Sequence, residues 1–279
     1  MTTTVPPFVL AEQTEIRAYV DFVTGAAAPV REALGIDSLR AGSALALAIR
    51  EDTSRFFNRA GGFGTDEPIT VDVLAQVCDF YRERGLLQGA LMVAPSLLPP
   101  DWAATADELN LGPGNRLVKL GCDIESALFA TDGVAALDPG LRVEMVEAHH
   151  AYEWATVMMT TFGFTTPGLI DMAASSVGRP NWRQYAVWEG ERIIAVGSVF
   201  FNGLCANMFG GATIPEGRGR GAQSALLTAR ARAALAAGCR WLVAETGAEG
   251  PGDHNTSLHN MLRAGFEPLY ERLTWLWHA

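Results

Sequence analysis

Residues 217–222 read GRGRGA, three glycines alternating with two arginines at the foot of a helix-forming run, GAQSALLTARARAALAA. The chemistry open to such a run is the holding of an oxyanion. Glycine tolerates the backbone angles that turn successive N–H groups toward one point. The first turn of a helix leaves its amides without intrahelical acceptors and carries a partial positive charge. Arg218 and Arg220 add positive charge at the rim, and Pro215 ends the preceding apolar run and turns the chain outward. A phosphate or pyrophosphate is the expected ligand.

Three kinds of phosphate site compete. Gly217, Gly219 and Ala222 satisfy the G-x-G-x-x-G/A spacing of dinucleotide folds. Glu245 closes the next apolar run, near the ~20 residues on where such folds place a ribose-binding acid. Against this, the segments ahead of the loop read as antiparallel hairpins, and too little chain follows to build a dinucleotide half-fold. An ATP loop of the form GxxxxGK[ST] needs a lysine, which this run lacks. What the stretch suits is a pyrophosphate seated at a helix start.

Other residues carry possible chemistry. Glu245, at the end of RWLVAET, is the first candidate for a general base. His149 and His150 open a helical run, and Asp253 and His254 lie in the glycine-rich GAEGPGDHN; solvated positions are the plainer reading of these four. Asn255, just before TSLHNML, reads as a helix cap, a ligand contact, or both. Trp182, Trp188 and Trp241 sit in strand-like runs and are expected in the core. Cys78, Cys122, Cys205 and Cys239 are too widely spaced for a CxxC pair, so reduced, buried thiols and no metal site are expected.

These residues need elements to hold them. Helical spacing is read over 11–34, strands over ALALAIR and SRFFNRAGGFG, a helix over PITVDVLAQVCDFYRERG, a strand at 90–98, a short helix over DWAATADELNLG and a strand over NRLVKLGCDI. Turn chemistry at Asp132-Gly133 and Asp138-Pro139-Gly140 marks a junction, giving domains 1–135 and 136–279. Beyond it come a strand (LRVEMVEA), two helices (HAYEWATVMMTTFG, PGLIDMAASSVG) and three strands joined at Glu189-Gly190 and Asn202-Gly203, hairpin chemistry. A long helix then runs to Gly238, followed by strand, short helix and last strand. The class is α/β with a mixed sheet, and the two halves share a late β-α-β-α-β order.

At 279 residues, 49% of them hydrophobic and 19% charged, the chain has material for two cores or one large one. A net charge of −10 argues against sequence-independent nucleic-acid binding, which rests on cationic side chains. The excess acid lies mostly before residue 135, so the part with the Arg-Gly loop repels an anion less. MTTTVPPFVL lacks the pattern of a signal peptide, and no apolar run approaches the ~20 residues of a membrane span. A cytoplasmic protein without membrane attachment, monomer or homodimer, is expected.

TIPEGRGRGAQSALL, followed by a helix, a strand and NTSLHNMLRAGF, resembles the GNAT superfamily of acyl-CoA-dependent N-acyltransferases. That family's signature is [RQ]-x-x-G-x-[GA]; Arg218 to Gln223 match it except at the last position, where Gln223 replaces a small residue. The later block matches through Asn255, Ser257, Asn260 and Gly265-Phe266. The resemblance covers about residues 141–279. The first half looks like a degenerate copy whose corresponding loop, GGFGTDEPITVD, is acidic and lacks arginine, so one CoA site is expected in a tandem arrangement.

The resemblance implies that pantetheine lies along Ala212, Thr213 and Ile214, whose backbone N–H groups polarise the thioester carbonyl. It places the pyrophosphate on Gly219, Arg220, Gly221, Ala222, Gln223 and Ser224 with Arg218 beside it, and turns Asn255 and Asn260 toward the CoA arm. Many relatives protonate the departing thiolate with a tyrosine at the position of Met261, which cannot donate a proton. Another group, solvent or Tyr270 must serve. The implied activity is transfer of an acetyl or short acyl group from acetyl-CoA to a primary amine of a small molecule. A CoA-binding sensor without turnover and a decarboxylase of malonyl-type thioesters are the alternatives.

Overall fold

The computed structural model describes residues 5–130 and 135–279. The chain opens with two helices, α1 (Phe8–Thr24) and α2 (Ala28–Leu34). Ile16, Phe22 and Val23 are buried as their spacing predicts, but α1 also buries Glu12, Thr14 and Glu15. Gly35, at φ +61°, ends α2 in the left-handed conformation that glycine accepts without strain. A hairpin of β1 (Ile36–Ala41) and β2 (Ala44–Ile49) follows. β1 is absent from the sequence reading because IDSLRA lacks an apolar alternation. The strand expected over SRFFNRAGGFG shrinks to β3 (Arg59–Gly61), since turns occupy the residues before it.

α3 (Val71–Glu83) is capped by Thr70, whose hydroxyl accepts from the Val73 N–H at 3.3 Å. β4 (Gln88–Met92), α4 (Trp102–Glu108) and β5 (Leu111–Asp123) complete the first half. Ile124–Phe129, ahead of the expected turns, form a short helix, α5, which Asp123 caps by accepting from the Glu125 N–H at 2.9 Å. The Asp132-Gly133 turn lies outside the described residues. The Asp138-Pro139-Gly140 turn is present, closed by the Leu141 N–H donating to the Asp138 carbonyl at 2.9 Å.

The second half runs β6 (Leu141–Met145), α6 (Ala151–Thr161), α7 (Leu169–Ala174), β7 (Trp182–Glu189), β8 (Arg192–Asn202), β9 (Cys205–Thr213), α8 (Ala222–Ala236), β10 (Trp241–Gly247), α9 (Thr256–Arg263) and β11 (Glu267–His278). Strands β6 to β9 pair antiparallel, with Gly190 and Gly203 at positive φ in the two expected turns. All four cysteines are free and buried, and burial pushes their thiols up. Trp182, Trp188 and Trp241 are buried in the core.

The described strands form one sheet of eleven, ordered β1-β2-β3-β4-β11-β5-β10-β9-β8-β7-β6. The order repeats about its middle. Each half runs outward from a parallel pair, β3 with β4 and β9 with β10. The last strand of each half crosses to the other: β11 lies between β4 and β5, and β5 lies between β11 and β10. Among the described residues, no helix is long and apolar enough to cross a membrane.

Candidate active site

β9 and β10 pair only where Cys205, Ala206 and Asn207 oppose Trp241, Leu242 and Val243; beyond Asn207 the two strands part. A bulge in β9 drives the parting. The register against β8 jumps between Phe209 and Ala212, and Gly210 holds φ +60° with the Met158 sulfur so close that a Cβ would approach it to 2.5 Å. The Ile214 N–H donates to the Ile194 carbonyl at 3.0 Å, toward β8. Because strand amides alternate between edges, the N–H of Thr213 faces the opened edge.

Past β9, the chain makes a 3-10 turn at Pro215–Gly217 and enters α8 through Gly219 and Gly221, at φ +74° and +77°. Gly221 occupies the N-cap position and offers no side chain to the first turn. The amides of Gly219 to Ser224 donate to no acceptor among the described residues. At the corresponding helix of the first half, α3, the Thr70 hydroxyl occupies one first-turn amide, that of Val73. The start of α8, with no such cap, has the chemistry to hold an anion. Arg218 is exposed and free of ion pairs among the described residues, whereas Arg220 is bound to Asp138 at 3.0 Å and Glu189 at 2.7 Å. Arg220 thus ties the loop to its surroundings.

The parted strands open into a cavity of about 370 Å³. Asn207 to Gly211 of β9, Ala244 to Gly247 of β10, Gln223 and Leu227 of α8, and Ser257 and Met261 of α9 line it. Glu15 and Tyr19 of α1, Phe56, Phe57 and Arg59 from the first half, and Phe164 from the α6–α7 connection, add to the lining. Arg230 lies under the bulge, fully buried, with Nε donating to the Leu226 carbonyl at 3.0 Å and Nη1 to that of Ser198 at 3.3 Å. Burial without a carboxylate pulls its guanidinium down to about 10.

Glu245 stands on the cavity wall and belongs to a buried ionic cluster. In register across the three central strands are Glu245 of β10, Lys119 of β5 and Tyr270 of β11. Arg272 pairs with Glu12 at 3.0 Å, with Glu15 at 2.8 Å, and closely with Glu245. Lys119 pairs closely with Glu15 and lies 3.9 Å from Glu12. Three carboxyl groups thus face two cations, and the set is neutral when one carboxyl keeps its proton. That carboxyl is Glu245. Burial, helped by the charge of Glu15, raises it to about 8 against the pull of Arg272. Glu15 goes the other way: burial alone would raise it, but Arg272 and Lys119 hold it well below the usual carboxylate range.

The structure distributes the remaining candidates. The Asn255 side chain caps α9, accepting from the N–H groups of Ser257 and Leu258 at 3.0 and 3.2 Å, and donates to the Gly247 carbonyl at 2.7 Å. Asn260 donates to Gln223, which donates to Ser257 at 3.0 Å, so the two asparagines brace the cavity rim from behind. Ala212 is buried in the core, and Ile214 packs partly buried behind the loop. Tyr270 gives its hydroxyl to Glu12 and lies outside the cavity lining, its phenol raised by burial and by the Glu12 charge. His149 and His150 lie beside Glu147 and Glu153, away from the cavity. Asp253 accepts from the Gly250 N–H at 3.1 Å. His254 joins Glu249 and His259, whose ligand-capable atoms lie within 4.8 Å of one another.

The sequence reading did not select Glu12, Glu15, Tyr19, Arg59, Lys119, Arg230 or Arg272. One signal was present: Lys119 is the chain's single lysine, set in the apolar run RLVKLG, and it is completely buried.

No protein-family model matches the chain, and no curated protein matches it in sequence. Solved structures do. A GCN5-related N-acetyltransferase from Kribbella flavida superposes with a TM-score of 0.60 at 17% identity, over 87% of this chain and 89% of that one. A GCN5-related N-acetyltransferase from Sphaerobacter thermophilus gives 0.59 at 12%, over 99% and 94%. A tandem GNAT protein from the clavulanic acid biosynthesis pathway gives 0.54 at 16%, over 74% and 69%. With parallel strands splayed above an open glycine turn in one half, and a reduced copy of that arrangement in the other, the chain carries the GNAT fold in a two-lobed form.

Proposed function

We propose that the protein transfers an acetyl or other short acyl group from CoA to a primary amine of a small molecule. The observation that carries this reading is a cavity between parted strands that has a carboxyl raised toward neutrality, Glu245, on its wall and the open start of α8 at Gln223 beside it. Acetyl-CoA, when bound, supplies the activated carbonyl carbon. The amides of Gly219 to Ser224, with Arg218 beside them, hold its pyrophosphate, and the Thr213 N–H faces the acyl oxygen.

Glu245, once deprotonated, takes the proton of the incoming ammonium group, which frees its lone pair for the carbonyl carbon. The new C–N bond forms as the C–S bond breaks, the nitrogen releases its second proton to solvent, and the thiolate takes up a proton. Met261 supplies none. Tyr19 is the phenol on the cavity wall; burial raises it to about 12, so it keeps its proton and can hydrogen-bond the departing sulfur while solvent supplies the proton. The buried charge of Arg230 under the bulge favours the negative oxygen that develops beside it.

Calorimetry with acetyl-CoA, and thiol release in the presence of a panel of small primary amines, test this. Binding and amine-dependent thiol release are expected; the absence of acetyl-CoA binding removes the reading. Met261 on the cavity wall favours one alternative, a CoA-binding sensor. Tight binding with no turnover across the panel selects it.

A further inference from the structure

Arg59 is 6% exposed and lies on the cavity wall. Its Nε donates to the Phe56 carbonyl at 3.0 Å, and its guanidinium lies 4.0 Å from the Tyr19 ring centre and 4.2 Å from that of Phe56. The two rings hold the plane of the group by cation–π attraction. Its terminal nitrogens have no hydrogen-bond or ion-pair partner among the described residues. The other buried cations differ. Lys119 and Arg272 are paired with Glu12 and Glu15, and Arg230 gives its nitrogens to backbone carbonyls.

A guanidinium held in place with its fork unused and facing a cavity is ready to receive an anion. The fork matches a carboxylate, two parallel N–H···O bonds in one plane. A phosphate dianion fits less well, because Glu15 and Glu245 line the same cavity. Those carboxyls instead suit the amine end. The same wall carries aromatic rings, with Phe57 and Phe164 packed 5.5 Å apart. We infer that the acceptor is a primary amine that also carries a carboxylate and an apolar body, an amino acid or a molecule built like one, with its carboxylate on Arg59. The amine end rests on the acyl-transfer reading; the carboxylate end does not.

The test uses the full chain saturated with CoA. Amino acids with apolar side chains, from valine to tryptophan, are titrated calorimetrically beside their carboxamides, with one aminoalkyl phosphate included. At least one acid is expected to bind ~10-fold or more tightly than its carboxamide. Arg59→Gln should erase that preference, while Arg59→Lys keeps part of it, and acetyl-CoA affinity and Tm verify that both variants are folded. No binding by any acid, equal affinity within every pair, a preference that survives in Arg59→Gln, or tighter binding of the phosphate each overturns the inference. An Arg59-dependent acid preference without acylation of any amine sinks the acyl-transfer reading and leaves the carboxylate site standing. Acylation of amines with no acid preference does the reverse.

Discussion

Glu245 titrates where a base for amine chemistry is useful. Its carboxyl is raised to about 8 because burial disfavours its charge and Glu15 already holds one beside it. Only the ionised form accepts a proton, so kcat/KM should climb as pH rises through about 8. The amine's own titration adds a second limb above it. Glu245→Gln should remove the lower limb and cut kcat by ~10²-fold with acetyl-CoA affinity unchanged, as measured by pH profiles of both proteins. The same shift has a stability consequence. Between the ordinary value of 4.5 and about 8, the folded chain keeps a proton that the unfolded chain has released, so this group's contribution falls as pH rises through that window. Glu15 has the opposite sign. Its stabilisation is present above 4.5 and is lost as pH drops toward its depressed folded value. The two loop arginines also separate at this scale. Arg218→Glu should weaken acetyl-CoA binding ~10-fold at unchanged Tm, because the side chain touches no partner among the described residues. Arg220→Ala should lower Tm slightly, because it loses Asp138 and Glu189.

At the scale of elements, the start of α8 depends on two glycines for different reasons. Both hold positive φ, but a Cβ on Gly219 meets nothing within 4 Å, whereas one on Gly221 would come within 2.3 Å of the Ala136 carbonyl. Gly219→Ala should therefore cost only the left-handed backbone penalty of ~1–2 kcal/mol. Gly221→Ala adds a backbone clash, must shift the segment around Ala136, and should destabilise more while weakening acetyl-CoA binding. Thermal melts and calorimetry on the two variants check this. Elements of this kind were legible in the sequence because their signals are local. Amphipathic spacing marked α3, Gly190 and Gly203 marked the hairpins, and Gly238 marked the end of α8. What stayed hidden is non-local. β1 has no apolar alternation to announce it. Arg59, in SRFFNRAGG, reads as an ordinary surface arginine until β3 turns it inward between Tyr19 and Phe56. The acidic face of α1 looks solvated until Lys119 and Arg272 arrive from strands far along the chain.

At the scale of the whole molecule, the exchange of last strands binds the halves into one cooperative structure. Removing residues 1–135 takes β5 from between β10 and β11 and β4 from the other side of β11, leaving three strand edges unpaired. It also removes Glu12, Glu15 and Lys119 while leaving Arg272 and Glu245 behind. Stripping a buried ion of its partners costs ~3–5 kcal/mol, and the lost burial of β5 against β10 and β11 adds to that. These losses compete with the ~5–15 kcal/mol that stabilises a typical domain. Part of the cavity wall would go as well, since Tyr19, Phe56 and Arg59 all come from the first half. The full chain is therefore expected to melt in a single calorimetric transition. Residues 136–279 expressed alone should be unfolded or aggregated, and co-expression with residues 1–135 should restore a soluble pair that binds acetyl-CoA. Circular dichroism melts of the separate and combined pieces decide the matter. A monomeric 136–279 fragment with its own cooperative transition would mean that β11 and β10 hold together without β5, and that the exchanged strands join two units already stable by themselves.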